Sequence, residues 1–189
     1  LRDDTVIAFS SDHGEELGDH GDVSHHFRFY SHNVRVPLIY SGPGVKAEKV
    51  SSLTTLLDVV PTIADFCSLP KDPAWEGHNV TDSSVKDRKL VVLESFHGGS
   101  CAFAIKPVYM AVRDGRYNYL WKEYLDPTDH YSAEGPELYD TVADPAEKKN
   151  IYYPDHPIIP AFNAAIIERL KQIPEISLAR IQKSFDSYL

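Results

Sequence analysis

Thr5-Val6-Ile7-Ala8-Phe9-Ser10 runs directly into Ser11-Asp12-His13-Gly14-Glu15-Glu16-Leu17-Gly18-Asp19-His20-Gly21-Asp22, and the junction between these two stretches decides the fold. The first is a short apolar run rich in β-formers, the pattern of a buried strand in a parallel sheet. The second, from Asp12 to Asp22, holds five acids, two histidines and three glycines, with no Lys or Arg. An acidic, glycine-broken loop leaving the carboxyl end of such a strand is where open α/β sheets place their ligands. Asp12 and His13 offer a hard oxygen and an imidazole nitrogen to one divalent cation. The competing reading is a turn, with Asp12 capping and Gly14 at positive φ. Five carboxylates close together repel one another unless a cation or solvent relieves them. Five of the nine histidines also fall in this region: His13, His20, His25, His26 and His32.

Bulk composition narrows the classes. At 189 residues, 42% apolar and 25% charged, the chain fits one ordinary globular unit with a core large enough to fold. A net charge of −9 argues against nucleic acid, whose phosphates demand a basic patch. An anionic substrate therefore needs local positive charge, which a bound metal supplies. Cys67 and Cys101 are too few for a disulfide framework, and no stretch reaches the roughly 18 apolar residues of a membrane span. The chain opens on Leu1 and enters a core strand almost at once, so it reads as a piece of a longer protein. Half a sheet would leave an apolar surface exposed, and the isolated piece is expected to aggregate. Asn79-Val80-Thr81 is a glycosylation sequon, usable only in a secreted protein.

The pattern along the chain predicts an α/β part followed by a smaller antiparallel sheet. Tyr30 to Arg35 suggests a helical turn, and Val36 to Tyr40 a strand with Pro37 near its start. Asp58 is placed to cap a helix running to about Cys67, with Pro61 in its first turn and Ile63, Phe66 and Cys67 in the core. Residues 70–88 look like an exposed connection. Lys89 to Ser95 is a strand candidate. Tyr109–Arg113 and Arg116–Trp121 flank Asp114-Gly115, a hairpin signal, and Pro136 to Asp140 suggests an edge strand. Phe162, Ile166, Leu170 and Ile173 repeat at helical spacing before Pro174. Leu178, Ile181 and Phe185 suggest a last amphipathic helix. The division expected is 1–88 for the α/β part and 89–189 for the small sheet with its C-terminal helices.

Three of these stretches occur together in one known family. The run Thr5 to Gly21, then Val34-Arg35-Val36-Pro37-Leu38-Ile39, then Leu57 to Ala64, resembles the sulfatase family of the alkaline phosphatase superfamily. Glu137-Leu-Tyr-Asp-Thr-Val-Ala-Asp-Pro-Ala-Glu-Lys-Lys-Asn150 is similar to a segment near the C-terminus of those enzymes, and Tyr109 to Tyr119 to the hairpin before it. The resemblance is to the C-terminal half. It implies an alkaline-phosphatase-like mixed sheet flanked by helices, plus a small antiparallel sheet with a C-terminal helix. It implies hydrolysis of a sulfate monoester on a sulfated small molecule or glycan, in a secreted, periplasmic or lysosomal setting. It places Asp12 and His13 among the ligands of one divalent cation, calcium by family habit with manganese a rival, and puts an Asp pair and a formylglycine nucleophile upstream of Leu1. The nucleophile's Cys/Ser-x-Pro-x-Arg motif is absent: Ser41-Gly-Pro-Gly-Val and Ser68-Leu-Pro-Lys-Asp come nearest and lack the Arg. The piece alone is expected to be inactive.

One departure from the family pattern concerns the anion. The family commonly carries a Lys after the acidic loop, yet no Lys stands between Leu1 and Val45. Counting back from Val34-Arg35-Val36-Pro37 puts His25 or His26 there, with His25 the first choice. A protonated imidazole donates to an anionic oxygen, and its pKa near neutrality suits proton transfer. The substitution leaves a phosphonate monoester or phosphodiester hydrolase open, and also a non-catalytic module that binds an anionic glycan. His97, in the Phe96-His-Gly-Gly99 turn, is a further substrate-binding candidate. His20 reads as structural, His32 and Arg35 as surface or packing residues, and Glu15, Glu16, Asp19 and Asp22 as a solvated acidic loop. The stripe Tyr117, Tyr119, Trp121 and Tyr124 reads first as a sheet face and second as a sugar platform.

Overall fold

The computed structural model describes residues 3–21, 23, 25, 28–96, 108–123, 135–174, 176 and 178–187. Two sheets organise them. Strand β1 (Ile7–Ser10) pairs with β2 (Leu38–Ser41), and the second sheet holds β3 (Val91–Phe96), β4 (Val108–Arg113), β5 (Tyr117–Lys122) and β6 (Glu137–Asp140) in sequential order. The helices are α1 (Ser31–Val34), α2 (Val59–Phe66), α3 (Ser83–Lys86), α4 (Ile159–Leu170) and α5 (Leu178–Asp186).

The small sheet follows the two-residue alternation of its sequence. Val108, Met110 and Val112 of β4, Tyr119 and Trp121 of β5 and Leu138 of β6 form one face. That face packs against Ile159, Phe162, Ile166 and Leu170 of α4 and Ile181 and Phe185 of α5, spaced to line one side of each helix. The intervening residues, among them Asn118, Leu120, Lys122, Glu137 and Tyr139, line the other face, where Tyr30 packs. This sheet is therefore covered on both sides. The Asp114-Gly115 turn closes the β4–β5 hairpin, with Asp114 accepting from the N–H groups of Arg116 and Tyr117 and Gly115 at φ 91°, a conformation an L-residue adopts at a cost. Arg169 of α4 grips Glu94 of β3 through two hydrogen bonds of 2.7 and 2.8 Å. The Glu94 carboxylate beside it pushes the guanidinium pKa up. The stripe of Tyr119 and Trp121 is thus core against helices; Tyr124 lies outside the described residues.

The first strand departs from expectation in two ways. Among the described residues its partner is antiparallel, with Ile7 opposite Ser41 and Ser10 opposite Leu38. Ile7 and Phe9 are 61% and 58% exposed rather than buried. An apolar run carries no record of the direction of its neighbour, so the parallel reading had no local signal behind it. Leu57 and Val60 are also exposed.

The segment after β2 holds three further corrections. Asp58 stands at the N-cap of α2, as expected, but its side chain makes no capping hydrogen bond there. It ends a 3₁₀ turn, Leu56–Asp58, and its carboxylate reaches back to the Thr55 N–H at 2.8 Å, across to the His78 N–H at 2.9 Å, and to both terminal nitrogens of Arg88 at 2.6 and 2.9 Å. Burial pushes its pKa up, but the Arg88 hydrogen bonds and the His78 and Thr55 N–H groups outweigh burial and hold it low. The buried side of α2 is Pro61, Thr62 and Ala64, while Cys67 is exposed as a free thiol. Thr62 lies inward because its hydroxyl donates to the Asp58 carbonyl and accepts from the Val80 N–H. Within 70–88, Val80 and Val85 are buried and α3 forms. Asn79, only 2% exposed, donates to Asp65, which puts the sequon nitrogen out of reach of a bulky modification. No described helix is long and apolar enough to cross a membrane.

Candidate functional site

The acidic loop leaves β1 at its carboxyl end. The Asp12 side chain is 84% exposed. Its Oδ1 accepts from the His13 N–H at 3.0 Å, and this N–H together with its own holds the carboxyl pKa below the ordinary range, with the neighbouring His13 ring adding to the shift. His13 Nδ1 lies 2.9 Å from the Gly14 carbonyl. A carbonyl only accepts, so Nδ1 is the donor here and Nε2 is the ring nitrogen left to serve as a ligand. That Nε2 stands 3.6 Å from Asp12 Oδ2. Two atoms that ligate one cation at about 2.4 Å and near right angles stand about 3.4 Å apart. The 3.6 Å separation of the donor pair is close to that spacing.

His25 joins the same corner. Its Nδ1 donates to Glu15 Oε1 at 2.7 Å, and its ring lies 3.9 Å from the His13 ring, centroid to centroid. His13, Glu15 and His25 each offer a ligand atom within 4.8 Å of the others and could together hold a metal ion, and Asp12 lies beside this group through its contact with His13. His26 and His97 lie outside the described residues, as does Asp22. Glu15 is bound to His25 and not simply solvated.

Behind this exposed corner the loop is anchored by buried polar groups. Gly14 donates its N–H to the Asn33 carbonyl at 2.8 Å, and Asn33 Nδ2 donates to Glu16 Oε1 at 3.2 Å and to the Arg28 carbonyl at 3.1 Å. Glu16 is 1% exposed, which corrects its reading as a solvated acid; its partner α1 lies far enough along the chain to leave no local trace. His20 is structural, as expected: its Nε2 donates to the Glu147 carbonyl at 2.7 Å and its ring stacks on Tyr30 at 3.8 Å. His20 and Glu147 both sit in the left-handed region at φ 53°, a strained state held by the surrounding contacts. The Glu147 carboxylate accepts from the Ser31 N–H and from Asn118 Nδ2, joining the loop, α1 and β5. No sequence signal marked Glu147 or Asn33, whose roles depend on partners far along the chain.

Two consequences are measurable. A Cβ on Gly14 would lie 1.8 Å from the His32 carbonyl oxygen, so Gly14→Ala must displace the loop from α1. We expect it to cost about 1–3 kcal/mol and to weaken cation binding, read by urea denaturation and calcium titration. His32 packs behind the loop, where burial, and next the charge of His20, lower its pKa against the opposing pull of Glu16, Asp19 and Glu147. The unfolded chain takes up this proton near pH 6.5 and the folded one only at lower pH. Stability is therefore full above about pH 6.5 and falls as the pH drops below it. His32→Gln should flatten that part of the urea-midpoint profile; an unchanged slope would remove His32 as its source.

Comparison with known proteins gives the family. The family model described as Sulfatase matches residues 1–68. The chain is 32% identical to a Delta 4,5-hexuronate-2-O-sulfatase of Bacteroides thetaiotaomicron over 155 residues, covering 78% of this chain and 30% of that protein. It is 32% identical to a choline-sulfatase of Rhizobium meliloti over 156 residues, covering 80% of this chain and 28% of that protein. The solved structure of a 2-O GAG sulfatase superposes with a TM-score of 0.67 at 27% identity, covering 88% of this chain and 36% of that one. The chain thus spans about 30% of the length of these curated relatives. From its acidic loop to its C-terminal helices, it belongs to the sulfatase family.

Proposed function

We propose that this chain carries the cation and anion corner of a sulfatase that hydrolyses a sulfate monoester in the intact enzyme, with 1–88 belonging to the catalytic α/β part and 89–189 forming the supporting small sheet and helices. One observation carries the reading: the Asp12 carboxylate and Nε2 of His13 stand 3.6 Å apart just beyond the end of β1. Asp12 and His13 would hold the ion, calcium by family habit, with manganese the alternative that an imidazole ligand favours. When bound, such a cation supplies charge neutralisation at the ester oxygens. The depressed pKa of Asp12 keeps this ligand anionic. The Gly14 carbonyl fixes the His13 ring through Nδ1, leaving Nε2 on the side of Asp12. Glu15 holds His25 by Nδ1, leaving Nε2 to donate to a sulfate oxygen or to the departing alkoxide when it carries a proton. The substrate class is a sulfated small molecule or glycan, and a formylglycine nucleophile would come from residues outside this chain.

A second reading, a phosphonate monoester or phosphodiester hydrolase, draws on the absence of Lys before Val45 and on His25 in its stead. Turnover of 4-nitrophenyl sulfate and of a 4-nitrophenyl phosphonate by the intact protein, each with and without calcium, separates the two. Calcium-dependent sulfate hydrolysis in excess of phosphonate hydrolysis is expected. The reverse order would replace the first reading with the second, and no cation dependence on either ester would remove both.

A further inference from the structure

Between the small sheet and the C-terminal helices lies a cavity of about 230 Å³. Tyr119 and Trp121 of β5, Tyr152, Ile159 and Asn163 of α4, and Phe185 of α5 form most of its wall. It faces away from the acidic loop, because Tyr119 and Trp121 share the helix side of the sheet while Asn118 and Lys122 share the other. By comparison, an apolar cavity of about 150 Å³ takes up benzene. The wall is rich in rings, with Trp121 and Phe185 stacked at 4.7 Å, and among the described residues it contains no charged side chain.

Two polar atoms in this wall have no hydrogen-bond partner among the described residues: Nε1 of the fully buried Trp121, and Oδ1 of Asn163. An indole N–H only donates and an amide oxygen only accepts. Buried groups of this kind are normally matched, so these two point to a guest that both accepts and donates. A single water would answer the polar atoms but leave most of the ring-lined volume empty. A sulfate or carboxylate is excluded because no cation offsets its desolvation.

We propose that this cavity is a binding site for a small neutral aromatic ring bearing a hydroxyl, a phenol-like molecule. Its hydroxyl accepts from Trp121 Nε1 and donates to Asn163 Oδ1, while its ring packs among Tyr119, Tyr152 and Phe185. The site is separate from the cation corner and uses none of its residues.

Fluorine NMR titration of the intact protein with 4-fluorophenol and with fluorobenzene tests this. Saturable binding of both is expected, with 4-fluorophenol about tenfold tighter, and 4-fluorobenzenesulfonate should fail to displace it. Trp121→Phe combined with Asn163→Leu should abolish the preference while fluorobenzene still binds, which shows that the cavity persists. If that pair fails to fold, Asn163→Leu alone reads the same ratio from a half-buried helix position. The proposal is overturned by a lack of saturable 4-fluorophenol binding, by equal affinity for the two probes, by a preference that survives substitution, or by displacement with the sulfonate.

Discussion

Asp12→Ala in the intact enzyme should remove the bound cation and lower turnover of an aryl sulfate by on the order of a thousandfold, since a metal ion contributes several kcal/mol of charge stabilisation. The fold should not suffer. The Asp12 side chain is 84% exposed, and among the described residues it accepts hydrogen bonds only from the adjacent Ser11 and His13, so the cation-free variant should melt where the cation-free parent does. His13→Ala should act in the same way, because it deletes the Nε2 that stands beside Asp12 Oδ2. Asp12→Asn makes the cause legible: it keeps the shape and one oxygen but loses the charge, and should retain more metal than alanine but less than the parent. Elemental analysis decides the matter. Full occupancy in either alanine variant would refute the ligand assignment whatever the kinetics show.

Glu137→Ala should be the most damaging change to stability, at about 3–5 kcal/mol. Glu137 is buried between the small sheet and the acidic loop. Its Oε1 accepts from Lys122 Nζ at 2.9 Å, and its Oε2 accepts from the Tyr30 and Tyr139 hydroxyls at 2.7 and 2.6 Å. Burial pushes its pKa up, but the Lys122 charge and the two phenols outweigh burial and keep it below the usual carboxylate range. Burial and this carboxylate push both phenols well above theirs. Alanine strips three buried donors of their shared acceptor, so the loss is a large part of a typical total of about 5–15 kcal/mol. Glu137→Gln keeps an acceptor and should cost less. The sign with pH follows. A depressed carboxyl pKa gives stability that is present above its unfolded pKa and lost as the pH falls through the lower folded value. Glu137→Gln should shrink that acid-side loss. Urea midpoints across the acid range measure both effects, and a Glu137→Ala protein as stable as the parent would discredit the network.

The small sheet was legible because its signals are local. Asp114-Gly115 names the hairpin turn, and Phe162, Ile166 and Leu170, each four residues from the next, name the buried face of α4. The proposed ligand pair, Asp12 and His13, draws on signals of the same local kind, being adjacent to each other and next to β1. What stayed hidden depends on distant partners. Asp58 is claimed by Arg88 and His78, which turns a local capping signal into a long-range tie. Glu16 looks like one more loop acid until Asn33 is seen to bury it. The direction of β2 against β1 is a property of topology, which hydrophobic content does not encode.

The clasp between His20 and Glu147 spans 127 positions, and both residues pay conformational strain to make it. During vectorial synthesis the acidic loop leaves the ribosome long before its latch does. A nascent chain stalled before Glu147 is therefore expected to bind calcium weakly, and one extended past that point to bind it firmly. Maturation of the ion-binding corner would then be timed by translation of the C-terminal segment.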